Sequence, residues 1–275
     1  MAIFAGMDMP SKDLGGIIYS NYKKENRSGE EFIQEHSLGY IISGLLTIVD
    51  GDRKEVFGAG DLVMLRKNNL AKFFKHPAQS DQFTAITLIL DKDTLEQLNK
   101  GQHFAGGTIT PQSAVLRITP DKLLKSYFES LLPYFMEPVS DQLVQAKKQE
   151  GVLLLLRNNP TLAQILFDFG VPGKIDLEAF MNRNFRYNIT IDKLAYLTGR
   201  SLATFKRDFE KTFNSPPSRW IQQQRLKEAH YLISEKKNKP SDVYLEVGFE
   251  SLSHFSYAFK QYFGYNASTL ERNGG

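Results

Sequence analysis

The chain has 275 residues, 41% hydrophobic and 24% charged, which is the balance of a folded globular protein of one large or two ordinary domains rather than a disordered one. It contains no cysteine, which excludes disulfides, thiolate nucleophiles and cysteine-ligated zinc or iron–sulfur sites and fits a reducing cytoplasm. The net charge of +3 is uneven: residues 171–275 hold 16 Lys and Arg against 11 Asp and Glu, and residues 1–170 hold the remaining 18 against 20, so the basic C-terminal part is the one suited to a polyanion.

No basic-then-apolar leader opens the chain, where Met1–Met9 already contains Asp8. From Glu30 to about Leu90 the pattern is that of β-structure. Tyr40–Ile42 and Leu45–Val49 flank Ser43-Gly44, and Asp50-Gly51 makes a turn before Glu55–Phe57. Gly58–Asp61 then leads into Leu62–Leu65, and Phe83–Leu90 is a further β-branched run. Many short strands between glycine turns imply a small barrel or a double-sheet sandwich.

After Pro120 the period becomes helical. Leu123, Leu124, Tyr127, Phe128, Leu131 and Leu132 recur on one side of a helix that Asp121 can cap and Pro133 should kink or end. A second helix is expected from about Asp141 to Leu156, stopped by Asn158-Asn159-Pro160, and a third over Thr161–Phe169. The second contains the longest apolar run, Val152–Leu156, far short of the ~20 residues that cross a bilayer, so no membrane partner and a cytoplasmic location are expected. Gly170–Gly173 reads as a linker, and from Asp176 onward only helical patterns follow.

The C-terminal part repeats itself with an offset of fifty residues. Ser201-Leu202-x-x-Phe205-x-x-x-Phe209-x-x-x-Phe213 returns as Ser251-Leu252-x-x-Phe255-x-x-x-Phe259-x-x-x-Phe263, with Asp192 and Ser218 answered by Asp242 and Ser268. Phenylalanines at i, i+4 and i+8 form a core-facing stripe, and a serine before each stripe is a good N-cap. Each stripe helix follows a shorter one and a glycine turn: Asp192–Thr198 then Gly199-Arg200, and Asp242–Val247 then Gly248-Phe249-Glu250. A short helix, a tight turn and a longer capped helix make a helix-turn-helix. An amphipathic helix from about Pro217 to Ser234 joins the two copies. At 1.5 Å per residue its ~18 residues span roughly 27 Å, near the ~34 Å between successive major grooves.

Residues 174–272 resemble the paired helix-turn-helix domain of AraC/XylS-type transcription regulators. The likeness is carried by Arg225-Leu226-x-x-Ala229 in the linking helix and by Gly248-Phe249-Glu250-Ser251 through Phe255-x-x-x-Phe259-Lys260. Tyr244 stands where alanine is usual, Tyr257 where arginine is common, and Ala267 where proline is common. The resemblance implies an α+β chain: a cupin-like β-barrel or sandwich over 1–118, a helical dimerisation or connecting region over 119–170, and an all-α DNA-binding domain over 171–275. The helix-turn-helix units fall at about 190–213 and 240–263.

With the phenylalanines buried, Leu202, Ala203, Lys206 and Arg207 face outward on the first stripe helix, and Leu252, Ser253, Ser256 and Tyr257 on the second. The resemblance puts base contacts at these positions, and the charge lies in the first set only, so the first unit is expected to discriminate bases more strongly. Phosphate contacts are expected from Arg200, Lys211, Arg219, Lys236, Lys237, Lys239 and Lys260, with the helix N-termini at Ser201 and Ser251. The implied partners are double-stranded promoter DNA, RNA polymerase for an activator, and a second copy of the chain through Leu124, Tyr127, Phe128, Leu131 and Phe135.

Control of the DNA-binding half leaves three readings open: a small effector lined by Tyr40, Phe57, Phe73, Phe74 and Phe83, a protein partner, or a dimerisation module without ligand. Cupin-like barrels also include metalloenzymes, but His36, His76 and His103 are dispersed without His-x-His spacing. Gly106-Gly107 is a turn, and Gly58-x-Gly60 lacks the third glycine of a phosphate loop. No metal, cofactor or catalysis is expected.

Overall fold

The computed structural model of the chain describes residues 9–24, 26–27, 31–77, 82–102 and 113–272. His103 and Gly106-Gly107 lie outside the described residues. Among the described residues the chain divides into two compact units, one running to Gly170 without Glu31 and the other running from Val171 onward together with Glu31.

The N-terminal unit begins with β1 (Lys12–Asp13), β2 (Ile17–Tyr22), β3 (Asn26–Arg27) and β4 (Phe32–Ile33). It continues through β5 (His36–Ser43), β6 (Leu45–Asp50), β7 (Arg53–Phe57), β8 (Leu62–Leu65), β9 (Asn69–Leu70), β10 (Lys72–His76) and β11 (Phe83–Leu90). Helix α1 (Lys92–Gln102), β12 (Val115–Ile118), α2 (Lys122–Ser130), α3 (Asp141–Asn158) and α4 (Ala163–Leu166) follow. The strands pair antiparallel into a six-stranded sheet of order β1-β2-β11-β5-β8-β12 and a four-stranded sheet of order β3-β10-β6-β7, with β4 and β9 paired separately. These are open sheets, a sandwich rather than a closed barrel.

The large sheet is buried on both faces. Leu38, Tyr40, Leu62, Met64, Ile86 and Leu88 pack on one side with Tyr127, Phe128, Val152 and Leu155 of the helices. Their neighbours Ile41, Val63 and Ala85 point the other way, to Leu46, Ile48 and Phe57 of the small sheet. Successive strand residues point to opposite faces, so a strand covered on both sides reads as a near-continuous apolar run. At Gly151 an added Cβ would stand 2.6 Å from Leu88 Cδ2 and 2.7 Å from the Tyr127 hydroxyl, so this glycine allows α3 its close approach to the sheet. Tyr127 donates to the Lys147 carbonyl at 2.7 Å, and burial raises its pKa.

Two expectations change here. The proposed effector-lining residues do not converge: Tyr40 stacks on Phe128 at 5.1 Å on the helix side, while Phe57, Phe73 and Phe83 belong to the inter-sheet core. Phe74 follows Phe73 on β10 and so faces away from it. The proposed dimer residues Leu124, Tyr127, Phe128, Leu131 and Phe135 are all buried in the core of their own unit, which uses the whole apolar face assigned to a partner.

Within the same unit Lys148 of α3 is buried and ion-paired with Asp91, which also accepts from the Thr94 amide at 2.9 Å as the cap of α1. Burial pushes the Asp91 carboxyl up, but the hydrogen bonds from Lys148 and Thr94 outweigh it and hold the pKa below the ordinary carboxylate value. His36 is buried, with Nδ1 accepting from the Lys67 amide at 3.2 Å. Desolvation and the nearby cations Lys67 and Arg66 lower its pKa to about 4, keeping the ring neutral.

The C-terminal unit is helical: α5 (Leu177–Asn184), α6 (Ile191–Leu197), α7 (Leu202–Phe213), α8 (Pro217–Ser234), α9 (Pro240–Glu246), α10 (Leu252–Phe263) and α11 (Ala267–Arg272). It has two cores. Phe205 and Phe209 pack with Leu177, Met181, Leu194, Trp220 and Ile221, whereas Phe255 and Phe259 pack with Leu226, Ala229, Ile233, Val243 and Phe249. Helix α8 serves both, its first half in one core and its second half in the other. Among the described residues no helix is long and apolar enough to cross a membrane.

Candidate DNA interface

The two outward faces exist because the local sequence fixes each stripe helix at both ends. Ser201 accepts from the Thr204 amide at 3.3 Å and Ser251 from the His254 amide at 3.2 Å. At the far ends Asn214 and Gly264 adopt left-handed φ of 48° and 83°. The turn glycines are constrained too. Gly199 has φ +65° and Gly248 φ +99°, and a Cβ on either would strike backbone within 2.5 Å.

The offset of fifty holds for α7 and α10 but not for the helices before them. Helix α6 begins at Ile191 and α9 at Pro240, an offset of forty-nine, so Gly199 answers Gly248 and Ala195 answers Tyr244. Asp192 and Asp242 are therefore not at equivalent helix positions. The second turn carries one more residue, which brings Glu250 ahead of the cap.

All eight residues expected to contact bases are exposed on α7 and α10, while Phe205, Phe209, Phe255 and Phe259 are fully buried. Arg207 is 76% exposed, and its nearest carboxylate oxygen, on Asp208, is 3.5 Å away. Tyr257 is 67% exposed. Such side chains on a capped helix present donors and aromatic surface that can enter a groove at the expense of no more than the long Arg207–Asp208 contact.

The cationic set divides. Lys211, Arg219, Lys236, Lys237, Lys239 and Lys260 are exposed. Arg200, expected on phosphate, is 7% exposed and committed internally: Nε donates to Asp208 at 3.1 Å and Nη1 to the carbonyls of Thr198 and Ile175 at 2.8 and 3.0 Å. The Arg200 bond, helped by Lys174, holds the Asp208 carboxyl below the usual carboxylate range. Arg200 is a brace for the first turn and leaves the phosphate set. The Ser201 and Ser251 hydroxyls are likewise used as caps.

One group was not assigned a role from sequence. Arg225, at the middle of α8, donates from Nε to the Phe185 carbonyl at 2.8 Å, from Nη2 to Tyr187 at 2.7 Å and from Nη1 to Gly248 at 2.7 Å. Burial lowers its pKa to about 10, so it remains charged at neutral pH. Nearby, Asn188 donates to Glu250 at 2.7 Å and Arg186 to Glu228 at 2.6 Å. A cleft of about 490 Å³ opens beside them, lined by Asn188, Thr190, Arg219, Gln222, Phe249 and His254 among others. The signal lay in the Arg-Leu-x-x-Ala segment, but three of its acceptors are backbone atoms, which no sequence pattern marks.

Among the described residues no group of three or more metal-ligating side chains gathers.

Residues 194–273 match a helix-turn-helix domain model, and residues 36–165 match an ExsA N-terminal regulatory domain model. The virulence regulon transcriptional activator VirF of Yersinia enterocolitica is 33% identical over 88 residues, 32% of this chain and 32% of that protein. The chain thus matches about a third of the length of that relative. The HTH-type transcriptional regulator ExsA of Pseudomonas aeruginosa is 20% identical over 233 residues, 84% of each chain. A crystal structure of unsaturated fatty acid bound ToxT from Vibrio cholerae aligns over 92% of this chain and 94% of that one, with 14% identity and a TM-score of 0.43.

Proposed function

Because the chain belongs to the AraC/XylS family of transcription regulators, we propose that it binds promoter DNA sequence-specifically, through α7 and α10 in successive major grooves, and activates transcription. The observation that carries this reading is the pair of serine-capped helices in one compact unit, each turning a phenylalanine stripe inward, its first two rings fully buried, and an exposed face outward. Helix α7 does most of the base reading, with Lys206 and Arg207 as donors to guanine O6 and N7 and Ala203 as an apolar contact. Exposed Lys211, Arg219, Lys236, Lys237, Lys239 and Lys260 hold phosphates.

Control acts through the N-terminal unit, the part that matches a regulatory domain model, with residues 119–170 as the connecting helical region. The activator role follows the name of VirF and makes RNA polymerase a partner. A regulator rather than an enzyme, working in the cytoplasm, completes the proposal.

The test is selection from a genomic fragment library with affinity followed against salt. Recovery of a motif with two half-sites about 10–10.5 bp apart and a steep fall of affinity with salt is expected. No binding at low salt overturns the reading.

A further inference from the structure

We propose that Arg225 is the positioning residue that sets the phase between the two recognition helices, and thereby which half-site spacing the protein accepts. The inference rests on the DNA-binding reading above and deepens it.

Helix α8 passes from one core of the C-terminal unit to the other. Trp220 and Ile221 belong to the first core and Leu226 and Ala229 to the second, and Arg225 stands at the changeover. Its three acceptors come from both sides. The Phe185 and Tyr187 carbonyls lie in the segment that leads into α6, and the Gly248 carbonyl lies in the turn that leads into α10. A single planar guanidinium therefore ties the entry to the first helix-turn-helix to the entry to the second recognition helix.

The fit is specific to arginine opposite glycine. A Cβ at position 248 would stand 2.9 Å from Arg225 Cζ and 2.5 Å from the Arg186 carbonyl oxygen, and the φ of +99° favours glycine. Lysine is a point donor and cannot serve three acceptors in one plane as the fork does. Without the fork three carbonyl dipoles converge on a common space, which drives the two units apart. The Asn188–Glu250 bond is a second, exposed tether across the same gap, and it depends on the extra residue in the second turn.

The consequence is a spacing preference. Two additional base pairs displace the second half-site by about 7 Å along the axis and turn it by about 70° around it. A rigid pair of readers then loses simultaneous engagement, a loss of about a hundredfold in affinity for the full chain.

The experiment uses the full chain, Arg225→Met and Arg225→Lys, with two readouts. The first is affinity for duplexes carrying the selected half-sites at spacings from about 8 to 13 bp, and for a single half-site. The second is the distance distribution between spin labels at Glu210→Cys and Gln261→Cys, positions specific to label because the chain has no cysteine. In the variants the hundredfold preference is expected to shrink to about tenfold or less, with single-half-site affinity retained and the label distribution broadened. An unchanged spacing profile or an unchanged label distribution overturns the proposal. So does a parallel loss at single and double sites, which marks a merely structural role. If Arg225→Met does not fold, Arg225→Lys carries both readouts, and its behaving as wild type refutes the need for the fork. If wild type binds none of the duplexes, the DNA reading fails while the label distances still decide the role of Arg225.

Discussion

Two arginines seven residues apart separate a base-reading role from a bracing one. Arg207→Ala removes a side chain that is 76% exposed and 3.5 Å from the nearest carboxylate oxygen, so it leaves no buried acceptor unpaired. Its stability cost should lie within ~0.5 kcal/mol. If the guanidinium pairs with guanine O6 and N7, its loss costs ~1–3 kcal/mol of discrimination, or about 5- to 150-fold in the ratio of specific to random affinity. Arg200→Ala has the opposite profile. It strips donors from the Thr198 and Ile175 carbonyls, worth about 1–2 kcal/mol together. It also leaves Asp208 without the bond that depresses its pKa. That variant should lower the melting temperature and reduce specific and random binding together. Competition binding with specific and random duplexes, beside thermal unfolding, measures both. An unchanged specific-to-random ratio for Arg207→Ala refutes the base contact. A flatter salt dependence at unchanged melting temperature for Arg200→Ala returns that residue to the phosphate set.

The lysines ahead of α9 should contribute to the slope of log affinity against log salt by ~0.9 each, so replacing Lys236, Lys237 and Lys239 by alanine flattens it by up to about 2.7; an unchanged slope removes them from the interface. In the N-terminal unit Lys148 is 2% exposed and Asp91 31% exposed, so Asp91→Ala, which strands the buried cation, should cost ~3 kcal/mol in urea unfolding, more than Lys148→Met, whose carboxylate can hydrate. The same pair gives a pH dependence. Since the folded Asp91 pKa is depressed below 3.8, its contribution is present above that ordinary value and lost as pH falls through the folded one. Asp91→Asn should weaken the acid sensitivity, and an identical acid curve counts against it. Gly248→Ala should destabilise the C-terminal unit by ~1–3 kcal/mol through its positive φ and the Arg186 carbonyl contact; wild-type unfolding of the variant contradicts the turn geometry.

The C-terminal unit was legible because its signals are local. A phenylalanine every fourth residue, a serine before it and a glycine ahead of the serine each report on a neighbourhood of a few residues, and α8 has the bounds read from sequence, Pro217–Ser234. The offset was the exception, since an extra turn residue is invisible until the start of α9 is known. The N-terminal unit was harder for the converse reason. Strand β2 (IIYSNY) mixes apolar and polar residues at an edge of the pattern, and α1 offers only Leu95 and Leu98 to mark its face. Strand register decides which aromatic side chains meet, and register is non-local. Tyr40 and Phe57 lie close in sequence yet belong to cores on opposite faces of the large sheet. Arg200 misled because a basic residue beside a recognition helix has the same pattern whether its partner is a phosphate or Asp208.

The asymmetry between the two recognition helices carries a last consequence. The outward face of α10 has Leu252, Ser253, Ser256 and Tyr257, and its Lys260 sits in the last turn, where it complements the helix dipole. The second unit thus adds little charge of its own, and its contribution depends on being delivered at the right place by a rigid link, as a tethered weak module does. Tyr257, the last of these four, is 67% exposed, so Tyr257→Arg adds a charged fork with no packing to disturb. It should steepen the salt slope by up to ~0.9 and tighten binding to duplexes that carry guanine at the matching position by ~1–3 kcal/mol. Selection of bound sequences by the variant reads both effects. A variant with unchanged slope and unchanged sequence preference means that α10 does not face the duplex, and the paired-reader arrangement then reduces to a single reader on α7.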